Sequence, residues 1–294
     1  MSRREQFVRA AVERGHSPSE AESFTRFLRF AIGTNGRVNG PVVGRNGGLP
    51  SLPVGLEWPR SEYGPLPFVV SYDCAALPQV EGLPIPPTGT MLFFLHHEDD
   101  YESDAKDQQH AQAIYVPLGA ETVEAAEPEH AESMFSDWER NFVRPQRELY
   151  AWVRADLPEW LSRDEADLSA FQRELVQDLP HRQDLCALAQ ELWPAGEDCD
   201  CQLGGYSMHI SELSTPHLYE TPEVAMAREK VEVSTGESAK DHLLEQETHR
   251  VMGEWLPLAQ FQIDEVYIGR FLIRPDDLAA GRLEGVITCT EFTE

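Results

Sequence analysis

Near the N-terminus, apolar residues recur at helical spacing. Phe7, Val8, Ala11 and Val12 form one stripe, and Gly15 supplies a stop. Ser17-Pro18-Ser19-Glu20 opens a second predicted helix, with Ser17 as N-cap, Pro18 at the first position and Glu20 completing a capping box. Phe24, Phe27, Leu28 and Ala31 line one face of that helix, and Gly33-Thr34-Asn35-Gly36 ends it. The pattern then changes. Gly and Pro punctuate residues 44–59, which cannot sustain a helix, and Leu49, Leu52, Leu56 and Trp58 tuck this loop against the body. Strands are expected over 66–73, 90–96 and 113–118 from their β-branched and aromatic content. Residues 135–195 read as helical, because Leu168, Phe171, Leu175 and Leu179 recur at helical intervals; 221–250 read as helical or poorly ordered. Three further strands are expected at 255–263, 268–273 and 285–292, with a short helical turn at 276–280 between the last two.

The two strand groups echo one another. Each has a strand ending at an aspartate (Asp73, Asp264), a Gly-led aromatic strand and a closing strand. An internal duplication would give two related sheet halves around one core; two unrelated meanders would share the same outline. The expected fold class is therefore α+β, mainly antiparallel. Residues 1–36 supply N-terminal helices, and 37–294 form one domain with a helical insertion at about 135–195.

A hydrophobic fraction of 41% and a charged fraction of 26% are ordinary for a globular chain of 294 residues. No apolar run approaches membrane-spanning length and no signal-peptide pattern opens the chain, so a cytoplasmic protein is expected. Five scattered cysteines fit that compartment. The net charge of −27 is uneven: residues 1–60 carry nine Lys and Arg against five Asp and Glu, and the remainder fifteen against forty-six. Such a surface repels nucleic acid and anionic lipid and attracts basic proteins or cations, or else it serves solubility alone.

Gly47-Gly48-Leu49-Pro50-Ser51-Leu52-Pro53 followed by Trp58-Pro59, the strand ending at Asp73, Leu77-Pro78 and the 89–94 strand resemble the YwqG-like family of uncharacterised bacterial proteins. Leu203-Gly204-Gly205-Tyr206 resembles that family's glycine-tyrosine turn, and 255–260 with 269–278 resemble its final strands. The likeness spans roughly 40–292 and departs at Ser71, where glutamine is usual, and at Ser207, where proline is. It implies a fold and carries no established activity.

Several constellations could carry chemistry. Cys199-Asp200-Cys201 with His209 offers zinc-ligand types, yet the one-residue spacer and missing fourth ligand favour ordinary cysteines. His96-His97-Glu98-Asp99-Asp100 offers cation ligands or a solvated acidic loop. No nucleophile elbow, phosphate loop or protease signature is present. Trp58 anchors its loop in the core or lines a pocket with Tyr206 and Trp255. Asp73 and Asp264 either cap their own turns or converge with Gln260 and Tyr206 in a pocket between the sheet halves. Two functions follow: a non-catalytic binding protein whose acidic surface meets a basic protein, immunity-like or regulatory, or an enzyme or small-ligand binder using that pocket. No cofactor is expected.

Overall fold

Local chemistry sets the first two helices. In α1 (Arg3–Glu13), Ser2 caps the N-terminus in a reciprocal box with Glu5, and Phe7 and Ala11 face the core. In α2 (Pro18–Phe24), Ser17 accepts from the Glu20 N–H as expected, but the Glu20 side chain turns away to His181 instead of closing the box. The helix also stops earlier than its apolar spacing suggests. Residues 29–35 are strand β1 (Arg29–Asn35), buried at every position after the first. A central strand covered on both faces shows no alternation, so its apolar run extends a helical pattern by accident.

The computed structural model describes residues 1–37, 40–61, 64–96, 110–130, 141–196, 199–208, 221–232, 240–264 and 267–292, and the side chains of 232, 240, 262–264, 267 and 290–292 fall outside that description. After β1 come β2 (Val42–Asn46), β3 (Ser51–Pro53), β4 (Arg60–Ser61), β5 (Gly64–Pro65), β6 (Phe68–Asp73), β7 (Thr90–Leu95), β8 (Ala111–Val116), β9 (Thr122–Glu124) and β10 (Arg147–Asp156). The predicted helical insertion thus begins with a ten-residue strand, β10. Its helices follow: α3 (Ala170–Val176) and α4 (Arg182–Leu192), after two short 3₁₀ turns. The chain continues through β11 (Cys201–Gly204), α5 (Pro222–Glu232), α6 (Lys240–Glu254), β12 (Leu256–Asp264), β13 (Tyr267–Ile273), α7 (Pro275–Ala279) and β14 (Ile287–Phe292).

Ten strands form one sheet in the order β14-β13-β12-β11-β1-β10-β2-β6-β7-β8, with antiparallel pairing throughout. The order is symmetric about its centre. β1, β2, β6, β7, β8 and β10, β11, β12, β13, β14 run outward in the same sequence, except that each half lends its first strand to the other: β1 pairs with β11, and β10 with β2. The two meanders seen in the sequence are the two ends of this sheet.

The sheet curls so that its ends meet. Phe93 of β7 contacts Phe271 of β13 and Phe261 of β12, with ring centroids 5.1 and 5.6 Å apart, although four or more strands separate them in the ladder. Tyr72 of β6 likewise reaches Thr34 of β1, hydroxyl to hydroxyl at 3.0 Å. A main core results, with α1, α2 and α4 packed together beside it, and a smaller cluster of Leu52, Leu66, Phe68, Leu92, Phe94 and Val116 forms separately. Among the described residues, no helix is long and apolar enough to cross a membrane.

Candidate functional site

Three buried polar side chains stand side by side on adjacent strands. Gln202 of β11 lies opposite Gln260 of β12, which lies opposite Arg270 of β13. None exceeds 1% exposure. Polar groups so deeply buried must be hydrogen-bonded, and here they hold a turn. Gln202 Nε2 donates to the Gly204 carbonyl at 3.1 Å. Gln260 Nε2 donates to the Tyr206 carbonyl at 2.9 Å, while its Oε1 accepts the Met208 N–H at 2.6 Å. Arg270 donates to the Met208 carbonyl through Nε at 2.9 Å and through Nη2.

From the other side, Asp156 at the end of β10 accepts the Tyr206 N–H at 2.6 Å and Gln202 Nε2 at 3.2 Å on one oxygen. Burial raises its carboxyl above the ordinary range, against the lowering effects of Arg154, these hydrogen bonds and Arg29. Gly205 makes this approach possible. Its φ of +83° suits glycine, and a Cβ there would sit 2.1 Å from Asp156 Oδ2.

The turn projects Tyr206. Its hydroxyl donates to the Phe27 carbonyl at 2.9 Å, and the Arg29 guanidinium lies 4.2 Å from its ring centroid. Arg29 is itself committed to the Gly205 and Met252 carbonyls. Burial pushes the phenol up to about 12, so Tyr206 is a neutral wall and not an acid.

That wall borders a recess of about 330 Å³ between the turn, α3, α5 and α6, whose lining includes Trp160, Phe171, Leu175, Leu244 and Met252. Its polar lining joins the acidic Glu159, Glu223 and Glu245 to the uncharged Gln172, Ser207, Thr221 and Thr248 and to His249. Glu223 is 1% exposed; its Oε1 accepts from Ser207 Oγ at 2.8 Å, and its Oε2 meets no hydrogen-bond donor. Burial lowers the His249 imidazole below its usual value, assisted by Arg29 and Arg26. The recess therefore offers an apolar sleeve with the buried Glu223 carboxylate in its wall, one oxygen of which meets no donor.

Of the residues anticipated from sequence, Tyr206 and Gln260 are brought together here. Trp58 is elsewhere, donating from Nε1 to the Leu66 carbonyl and packing on Phe94 and Phe142. Trp255 stacks under Arg274, 4.7 Å from ring centroid to guanidinium. Asp73 is exposed and accepts the Ala75 N–H at 3.0 Å, bracing its own turn. Asp264 ends β12 opposite Tyr267, and its side chain lies outside the described residues, as does His209. Cys199 donates to the Cys201 carbonyl at 3.1 Å, and burial raises both thiols. His96 is buried near His110, and 97–100 lie outside the described residues. A cleft of about 560 Å³ does lie between the sheet halves, where β8 faces the segment entering β14, but Arg60, Gln112 and Glu284 line it, and neither Tyr206 nor Gln260 does.

The sequence reading missed Asp156, Gln202, Arg270 and Glu223. Arg270 carried a signal, since an arginine amid the apolar run Ile268–Ile273 needs an internal partner.

No curated protein matches the chain at a significant level. A family model described as a domain of unknown function, DUF1963, matches residues 44–290 and so takes in β10, β11, β12 and β13 with the turn they hold. The chain belongs to the DUF1963 family.

Proposed function

We propose that this protein, whose quoted segments resemble the bacterial YwqG-like proteins, is a non-catalytic cytoplasmic binding protein that captures a basic partner protein. The observation that carries this reading is the recess. An apolar, aromatic sleeve is bordered by Glu159, which also pairs with Arg163, by Glu245 and by Glu223, whose second oxygen is buried in the wall without a donor. A lysine or arginine side chain fits that chemistry, with its alkyl stem against the walls and its charged head at the carboxylate.

The neighbouring surface supports it. Exposed Asp164, Glu165, Asp167, Glu174 and Asp184 outnumber the exposed Arg163 and Arg173 on the insertion that carries α3 and α4, and Arg182 there is buried. With Arg29 and Arg270 also committed inward, the outward field is dominated by carboxylates, which would steer a cationic partner. In the recess the Ser207 hydroxyl donates a hydrogen bond to Glu223, and outside it the buried Cys74 and Cys186 thiols are pushed up to about 12.

The test is fluorescence polarisation with labelled basic peptides, at low salt and near 1 M salt, where the Debye length falls to ~3 Å. Binding should weaken steeply with salt, and Glu223→Gln should lose about tenfold in affinity, or about 1.4 kcal/mol. Equal binding of a neutral peptide, or indifference to Glu223→Gln, would sink the proposal.

A further inference from the structure

A second constellation lies at the corner between α1 and α2, away from the recess. α1 ends in a Schellman stop: the Gly15 N–H reaches the Val12 carbonyl, the His16 N–H reaches the Ala11 carbonyl, and Gly15 takes φ of +95°. This places His16 immediately before the Ser17 cap of α2. One turn into α2, Glu20 departs from the usual behaviour of a third-position glutamate. Its carboxylate, only 6% exposed, points across the fold to the start of α4. There Oε1 accepts the His181 N–H at 2.7 Å, and Oε2 lies 3.1 Å from His181 Nδ1.

The His16 and His181 rings face each other edge-on, with centroids 5.7 Å apart. One ligand atom from each of His16, Glu20 and His181 lies within 4.8 Å of the others. We propose that His16, Glu20 and His181 bind a zinc ion that clasps the α1–α2 corner to the head of α4.

Two imidazoles and one carboxylate form a ligand set used by zinc, with water completing the tetrahedron. Ligand atoms on one tetrahedral zinc stand roughly 3.3–3.5 Å apart, given bonds of about 2.0–2.2 Å. The Glu20–His181 pair is already near that spacing, and a small side-chain movement brings His16 in. On binding, zinc takes the place of the hydrogen on Nδ1 between His181 and Glu20, and the imidazole, still neutral, carries its single proton on Nε2. Oε1 remains on the His181 N–H, so the tie between α2 and the head of α4 survives. His16 is half-buried and His181 exposed, which leaves the ion a path in. The chain's negative charge concentrates cations around it. His16 and Glu20 precede the family-matched segment 44–290, so the clasp would fasten the N-terminal helices onto that segment.

The experiment is zinc titration of the full chain stripped by chelator, followed by calorimetry and thermal melting. One equivalent should bind and raise the melting temperature. His16→Ala should weaken binding about tenfold or more while melting like wild type in chelator. Should that variant melt early without metal, His16→Gln provides the same comparison. A Cys199→Ser/Cys201→Ser double variant should bind as wild type does, and the cobalt-substituted protein should lack thiolate charge-transfer absorption. The proposal is overturned if wild type binds no stoichiometric zinc. It is equally overturned if zinc affinity survives loss of His16 or disappears with the two cysteines.

Discussion

The carboxylate at the end of β10 is tolerated in its buried place because donors reach it. The Tyr206 N–H and Gln202 Nε2 share one oxygen of Asp156. Its carboxyl is raised by burial, so ionisation costs the folded state: the cost is absent below the unfolded value near ~4 and grows as pH rises through the folded value. Asp156→Asn keeps an acceptor without that cost and should stay within about 1 kcal/mol of wild type at neutral pH. Asp156→Ala strands both donors and should lose about 2–3 kcal/mol in urea denaturation. The thiols make a second residue-scale prediction. Cys74, Cys186 and Cys201 are buried and raised, so they should resist a maleimide in the native protein and react only after denaturation. Rapid native labelling of any of them would mean that the core opens.

Helix ends decide more than helix interiors in this chain. The left-handed Gly15 both stops α1 and aims His16, and an added Cβ there meets no atom within 4 Å. Gly15→Ala should therefore cost about 1–2 kcal/mol through backbone conformation alone and should weaken zinc binding in parallel. Between the end of α2 and the end of α3, Arg26 holds Asp178 with an N···O distance of 2.5 Å. The hydrogen bond from Arg26 lowers the Asp178 carboxyl to about 2. Stability from a depressed carboxyl is present above its unfolded value and is lost as pH falls through the folded one. The difference between wild type and Asp178→Asn should thus vanish as pH drops from ~4 towards ~2. With both side chains more than 40% exposed, it should not exceed about 0.5 kcal/mol at neutral pH. The stop of α1 at Gly15 and the start of α2 at Ser17-Pro18 were legible in sequence. The diversion of Glu20 to His181 was not, because a partner 161 residues away leaves no local mark.

At the scale of the molecule, closure of the curled sheet rests on aromatic contacts between its two ends. Phe93 is fully buried and touches Phe261 and Phe271 from the opposite meander. Phe93→Ala should cost about 3–5 kcal/mol in denaturant midpoint, well above a typical surface change. Composition and period were enough to read the α+β class and both outer meanders, because each is written in neighbouring residues, and the Gly204–Tyr206 turn came from the family resemblance. β1 and β10 were misread as helical. The first lacks alternation because both its faces are buried, and the second was masked by the helical spacing that follows it. The exchange of first strands between halves, the row Gln202–Gln260–Arg270, and the meeting of His16 and Glu20 with His181 were decided by tertiary structure alone. Sequence periodicity reports which face of an element is buried; it does not report which distant element arrives to cover that face, and every site described above is made of such arrivals.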